Sequence, residues 1–183
     1  TAWGIDNRVL AGIIILSLFS GAYIAVFRST PMLVQLMIMG FVVFQNSRNF
    51  TMVGALALGI NSGAYVAEII RGGLMSLDPG QMEAGRSLGL GYLPTMTFIV
   101  VPQAFKAILP ALGNEFITLL KDTSLISAIA GKEVVYFAKA IGAKTYDYMF
   151  PLLIIAVMYL ILVLIFTWLQ GILERRLRAS DRR

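Results

Sequence analysis

Two long stretches of this chain carry no charged residue: Val9 to Phe27 and Met149 to Gln170. Each runs for about twenty residues, enough for a helix rising about 1.5 Å per residue to cross the roughly 30 Å hydrocarbon layer of a bilayer. Three further apolar stretches lie between them: Met32 to Gln45, which is short, Thr51 to Ile70, and about Leu112 to Ala130. The pattern predicts an all-α, polytopic membrane protein of about five transmembrane helices. A soluble helical core is the alternative, and two uncharged stretches of this length argue against it. Residues 1–183 read as one transmembrane domain, with a polar loop at about 72–110 between the third and fourth spans.

Two junctions are cramped. The first span passes straight into "FRSTP" with no polar turn, and only "NSRN" separates the second span from the third. Either the second helix enters the membrane at a slant, or segments of the native chain are absent; the sequence leaves both open.

Charge sets the orientation. Five spans put the termini on opposite sides. With the C-terminus inside, Arg28, Arg71, Arg86, Lys106 and the tail arginines share one side, against Arg8, Arg48, Lys132, Lys139 and Lys144 on the other. Basic residues concentrate on the cytoplasmic side, so the N-terminus is expected outside and the C-terminus in the cytoplasm. The net charge of +5 then reports topology, and no nucleic-acid partner is expected. The basic tail "ERRLRASDRR" follows directly on an apolar helix and reads as a cytoplasmic anchor. The opening "TAWGIDNRVL" lacks the basic, apolar, small-residue order of a signal peptide.

Composition agrees and removes whole classes of chemistry. The chain is 58% hydrophobic and 14% charged, where soluble domains average about half and about a quarter. It has no cysteine and no histidine. Disulfides, thiolate metal sites and the commonest acid–base side chain are therefore missing. No catalytic or metal site is expected.

The polar loop has the punctuation of a short helix. In "LDPGQMEAGRSLGLG" Asp78 can cap, Pro79 suits the first helical position, and Gln81 completes a capping-box spacing. Gly89 is a natural stop, since glycine accepts the left-handed conformation after a last turn. A second short helix is expected from near Pro94 to about Val101, with Pro102 and Pro110 breaking the chain on its way back to the bilayer. Such a piece is rigid and partly apolar, at Met82, Leu88, Leu90 and Tyr92. Docking into another protein's groove and lying on lipid fit these local features equally well.

Charges at bilayer depth are functional candidates. Glu68 and Glu115 lie near the cytoplasmic ends of their spans, where a local ion pair suffices; Glu68 can meet Arg71 three residues on. Lys121 and Asp122 fall near the middle of the fourth span and run into Thr123 and Ser124. Four consecutive polar residues occupy every face of a helix, so some must face protein or water. Asp122, Thr123 and Ser124 are the candidate solute contacts: Asp122 for an ammonium, and the hydroxyls or amides freed by a helix break for a carboxylate. A structural kink at a subunit interface is the competing reading. Asn61, mid-span between Gly59 and Gly63, is a further candidate solute contact against a close-packing role. Gln35 is a weaker one, and Tyr65 is either a gate or core.

The loop also carries a family resemblance. "EAGRSLG", nine residues, then "IVVP" resembles the Glu-Ala-Ala, three residues, Gly, nine residues, Ile-x-Leu-Pro pattern of importer-type ABC permeases. Gly85 stands for the second alanine and Val101 for the leucine. "FRSTPMLVQL", "NSGAYVAEIIRGG" and "NEFITLLKDTSL" resemble three further blocks of the polar amino-acid (His/Gln/Arg-type) uptake subfamily, in the expected order, with Ser29 where glycine is usual. The resemblance implies a type I ABC importer permease fold in the inner membrane. It implies a second permease subunit, identical or related, two ATPase subunits beneath, and an extracytoplasmic solute-binding protein. Residues 83–102 would be the coupling loop, with Glu83, Ala84, Gly85, Gly89 and Leu90 serving ATPase coupling. The chain has no G-x-x-x-x-G-K-[ST] stretch, so ATP is expected on a partner and no cofactor on this chain. A stand-alone secondary carrier or channel is the main rival. It needs no docking loop and often shows an internal repeat, which is not apparent here. A membrane scaffold would not need Asp122, and an intramembrane enzyme lacks a nucleophile–base pair.

Overall fold

Pro31 decides the first turn of the molecule. In a computed structural model describing residues 7–180, with side chains at 12 and 14–177, helix α1 (Asn7–Ser29) ends just before it. Proline has no amide hydrogen to continue a helix and disfavours helical backbone in the residue before it. The chain restarts as α2 (Met32–Ile38), which runs on through a π-helical turn, Met39–Val43. The two arms are bent by 106°. The first cramped junction is thus a sharp elbow.

Helix α3 (Phe50–Met75) follows and is capped by Asn49, whose side chain accepts from the Met52 amide at 3.1 Å. It packs on α1 and, antiparallel, on α6 (Val101–Asp122). Between them lie the loop helix α4 (Gly80–Ser87) and the short α5 (Tyr92–Thr95). After α6 the helix tightens into 3-10 geometry over Thr123–Ile129 and stops at Ala130, in the left-handed region at φ 59°. Helix α7 (Val134–Thr145) is capped by the Glu133 carboxylate, and α8 (Met149–Ser180) closes the chain against α6 and α7. No strand occurs among the described residues.

The core sits where α2, α3 and the 3-10 segment meet. Leu36, Val53, Ala57, Leu58, Ile126 and Ile129 are buried together. Ile126 and Ile129 press against Gly54 and Gly40, where any side chain would collide.

Three helices are long and apolar enough to cross a membrane: Phe50–Met75, Tyr92–Ile129 and Met149–Leu177. The bent pair Ile14–Ser29 and Met32–Val43 makes a fourth if taken as one span. All five expected apolar stretches are helical, in the expected order.

One expectation is corrected. Pro102 and Pro110 do not break the chain, and no separate helix ends at Val101. Helix runs without interruption from Tyr92 to Ile129. A π-helical turn, Met96–Val100, sits directly before Pro102. A proline ring crowds the carbonyl one turn back, and the widened turn relieves that crowding while the helix continues. Pro110 lies inside α6, and its own carbonyl accepts from Gln170 Nε2 on α8 at 3.1 Å.

Candidate functional site

The elbow at Thr30 and Pro31 is held by a buried polar knot. Gln35 Nε2 donates to the Phe27 carbonyl at 2.9 Å, the Thr30 carbonyl at 3.0 Å and Thr30 Oγ1 at 2.7 Å. Asn61 Nδ2 donates to the same Phe27 carbonyl and to Gln35 Oε1, both at 3.0 Å. Gln35 and Asn61 are 8% and 9% exposed, so these bonds form away from bulk solvent. Asn61, expected as a solute contact, therefore uses its amide hydrogens to tie α3 to the α1–α2 elbow. Among the described residues nothing donates to its Oδ1. Gln35 was the weakest polar candidate by sequence. Its place beside Pro31 is the signal that could have raised it, because a broken helix leaves carbonyls that need donors.

The span carboxylates are engaged. Glu68 pairs with Arg71, as expected from the i,i+3 spacing, and with Arg28 across the helix interface at 3.5 Å. The Arg28 guanidinium also lies 5.4 Å from the centre of the Tyr65 ring. Glu115 accepts from Ser62 Oγ at 2.9 Å, linking α6 to α3.

Asp122 differs from both. It is the last residue of α6 and half-buried. No hydrogen bond or salt bridge reaches its carboxylate among the described residues, Lys121 included. The helix tightens here and does not break, so no amides are freed, and the Thr123 and Ser124 hydroxyls donate to the helix backbone while their oxygens can still accept. Thr123 Oγ1 donates to the Leu120 carbonyl at 2.6 Å and lies 3.4 Å from the Tyr159 hydroxyl on α8. Ser124 Oγ donates to the Lys121 carbonyl at 2.7 Å. The antiparallel register of α3 and α6 follows from Gly73 against Ile108, Ser62 against Glu115 and Gly54 against Ile126. That register puts Asp122 level with Leu58, about one helical turn along the axis from Asn61.

The loop keeps its predicted cap and stop. Asp78 Oδ1 accepts from the Gly80 amide at 2.8 Å. Gln81 does not return the bond as a capping box would; its Oε1 accepts from Gln103 Nε2 at 3.1 Å. Gly89 has φ 77°. The Gly89 amide bonds the Arg86 carbonyl and the Leu90 amide bonds the Gly85 carbonyl, the paired arrangement that closes a helix through a left-handed residue. Glu83, Ala84, Gly89 and Leu90 are exposed, whereas Gly85 is buried. Leu88 is 78% exposed and Leu93 71%, both on the loop.

The open grooves lie elsewhere. One of about 450 Å³ is lined by Gln103, Lys106, Glu174 and Leu177, between the loop and the end of α8. Another of about 460 Å³ is apolar and lies between α7 and α8. Neither includes Asn61, Asp122, Thr123 or Ser124.

An all-helical membrane domain with a capped polar loop between two spans, an ordered carboxylate–hydroxyl segment at the end of a long span, and no nucleotide motif has the makings of a transport permease. The chain belongs to the family of binding-protein-dependent transport system inner membrane components, whose pattern matches residues 9–179. It is 43% identical over 164 residues to the arginine transport system permease protein ArtQ of Bacillus subtilis, covering 87% of this chain and 74% of the relative. It is 39% identical to the putative glutamine transport system permease protein GlnP of Rickettsia bellii, covering 90% and 77%. Among solved structures, an amino acid ABC transporter crystallised with histidines superposes with a TM-score of 0.84 at 44% identity, over 90% of this chain and 78% of that one. The MetNI methionine ABC transporter in an inward-facing form superposes with a TM-score of 0.70 at 20% identity, over 92% and 78%, which shows a shared fold.

Proposed function

We propose that this chain is the permease subunit of an ATP-driven importer for polar amino acids, with Asp122, Thr123, Ser124 and Asn61 contributing to the solute path. Its similarity to arginine and glutamine transport permeases and to an amino acid ABC transporter supports the substrate class. The observation that carries the site is the Asp122 carboxylate: half-buried in a membrane-spanning helix, with no hydrogen bond or salt bridge among the described residues and only the charge of the adjacent Lys121 near it. A carboxylate at such depth requires a cation, and every amino acid brings an ammonium. The hydroxyls of Thr123 and Ser124 follow it, and the Asn61 Oδ1 lies about a turn away.

Asp122, Thr123 and Ser124 are only partly buried in one chain, and a second permease subunit, identical or related, completes the path. Two ATPase subunits dock beneath the permease pair, at the exposed face of α4 and the turn after it, through Glu83, Ala84, Gly89 and Leu90, with Gly85 packed behind them. An extracytoplasmic binding protein delivers the solute, and ATP is hydrolysed on the partner chains. The same layout supports a cytoplasmic C-terminus and an N-terminus outside. Arg28, Glu68 and Arg71 lie towards the end of the bundle that carries the loop, and Gln170 of α8 meets the loop side of α6. Thr51 and Lys132 meet at the opposite end.

The test is purification of the native complex in lipid, followed by ATPase assays with arginine, glutamine and histidine. Hydrolysis stimulated by at least one of them, from a co-purified ATPase, is the expected result. A transporting chain with no associated nucleotide-hydrolysing protein would overturn the proposal and favour a stand-alone carrier.

A further inference from the structure

Gly85 sits where the family pattern has alanine, and the structure gives a reason. A Cβ built on Gly85 would lie 2.6 Å from Thr95 Oγ1 and 3.1 Å from Thr95 Cβ, with Thr95 Cγ2 closer still. Thr95 is fully buried, the most enclosed side chain of the loop region. It cannot swing aside, because its hydroxyl donates to the Gly91 carbonyl at 2.9 Å. Helix α4 therefore seats backbone-to-side-chain on Thr95. Its other tie is the Gln81–Gln103 hydrogen bond, one turn before Gly85 on α4. Both ties reach the same uninterrupted helix, Tyr92–Ile129, that ends beyond Asp122.

We propose that Gly85 and Thr95 are positioning residues for coupling: their close contact fixes α4 rigidly to the Tyr92–Ile129 helix, so that a push on α4 reaches Asp122, about 40 Å along that helix, as one lever. This rests on the permease reading above. Gly85 acts through Thr95 and not by touching the ATPase, since it is buried while Glu83 and Ala84 beside it are exposed. Glycine here serves close approach; at Gly89 it serves the backbone angle, and a Cβ there would meet nothing within 4 Å. A β-carbon at position 85 overpacks the seat and tilts α4 away.

The experiment uses the full complex in proteoliposomes and compares wild type, Gly85→Ala, Thr95→Ala and the double variant. Solute transported per ATP hydrolysed is read beside ATPase binding. Gly85→Ala is expected to lower transport per ATP roughly ten-fold, the effect of overpacking a close contact. Thr95→Ala removes Oγ1 and Cγ2 and leaves only the 3.1 Å approach of Cβ, which a shift of a few tenths of an ångström relieves. The double variant is therefore expected to regain most of the coupling lost by Gly85→Ala. If Gly85→Ala fails to assemble, recovery of assembly in the double variant supports the seat, and failure of the double variant overturns it. Wild-type coupling in Gly85→Ala also overturns it. A wild-type complex with no solute-stimulated hydrolysis would instead refute the permease reading itself.

Discussion

The loop helix α4 and the segment around Asp122 are opposite in what they leave unsatisfied. On α4 every polar device closes locally: Asp78 caps, Gly89 terminates, and Gln81 meets Gln103. Beside the exposed Glu83 and Arg86, large apolar side chains remain on the surface at Leu88 and Leu93. Around Asp122 the apolar side chains find partners, with Ile126 and Ile129 buried against α2 and α3. What remains there is a carboxylate. Each region is incomplete in its own surroundings: apolar side chains are exposed at the loop, and a charge is half-buried within the span. Exposed apolar side chains on a rigid element fit a protein groove, and an unpaired intramembrane acid fits a cation. The Gln35–Asn61 knot is a useful third case, because its amide donors are engaged at the elbow while the Asn61 Oδ1 is left open.

The largest effect is expected at Asp122. Replacing it by asparagine keeps the size and removes the charge. Losing one partner of a desolvated charge pair costs roughly 2 kcal/mol or more, so uptake at limiting substrate should fall about thirty-fold or further. Radiolabelled uptake into proteoliposomes measures this, and near-wild-type uptake would erase the contrast between the two regions.

Next comes Leu88→Asp, which places a charge on the most exposed leucine of the loop. The fold of the chain should be unaffected. Affinity for the ATPase should weaken about ten-fold, the range of a single interface residue, read as a dissociation constant with the complex in nanodiscs.

Asn61→Leu sharpens the distinction between knot and site. It removes two donors and leaves the Gln35 Oε1 and Phe27 carbonyl short of partners, at about 1–3 kcal/mol. Thermal unfolding in detergent should fall by several degrees, at about 2–4 °C per kcal/mol for a chain of this size. If solute affinity dropped while the melting temperature held, Asn61 would belong with Asp122 instead.

The smallest effect is expected for Gly89→Ala. A residue with a β-carbon is strained at φ 77°, by about 1 kcal/mol. Faster amide exchange confined to residues 80–90, with transport reduced only slightly, is the expected signature.

Much of this was legible in the residues. The five apolar stretches, the Asp78 cap, the Gly89 stop and the Glu68–Arg71 pair depend on neighbours within a few positions, and local sequence carries that information. Asp122 was legible for the same reason, as a charge in an apolar run. Other features were not. Thr95 had no mark in the sequence, because its partner Gly85 lies across a turn and the contact is made by packing. Pro102 reads locally as a break, and only the widened turn before it lets the helix pass. The tie from Asn61 to Phe27 and Gln35 was not legible, because those partners are far away along the chain.

By itself, the amino-acid order determined that this protein is helical and membrane-embedded, where most helices start and stop, and which charges sit at depth. Those outcomes follow from hydrophobic length, capping chemistry and backbone sterics, all short-range. Tertiary structure alone decided which of the polar groups at depth are satisfied and which are left open. Whether Asn61, Glu115 or Asp122 finds a partner depends on the elbow angle and on the register of α3 against α6. Those are settled by packing between helices remote in sequence, at close contacts such as Ile126 on Gly54 and Ile129 on Gly40.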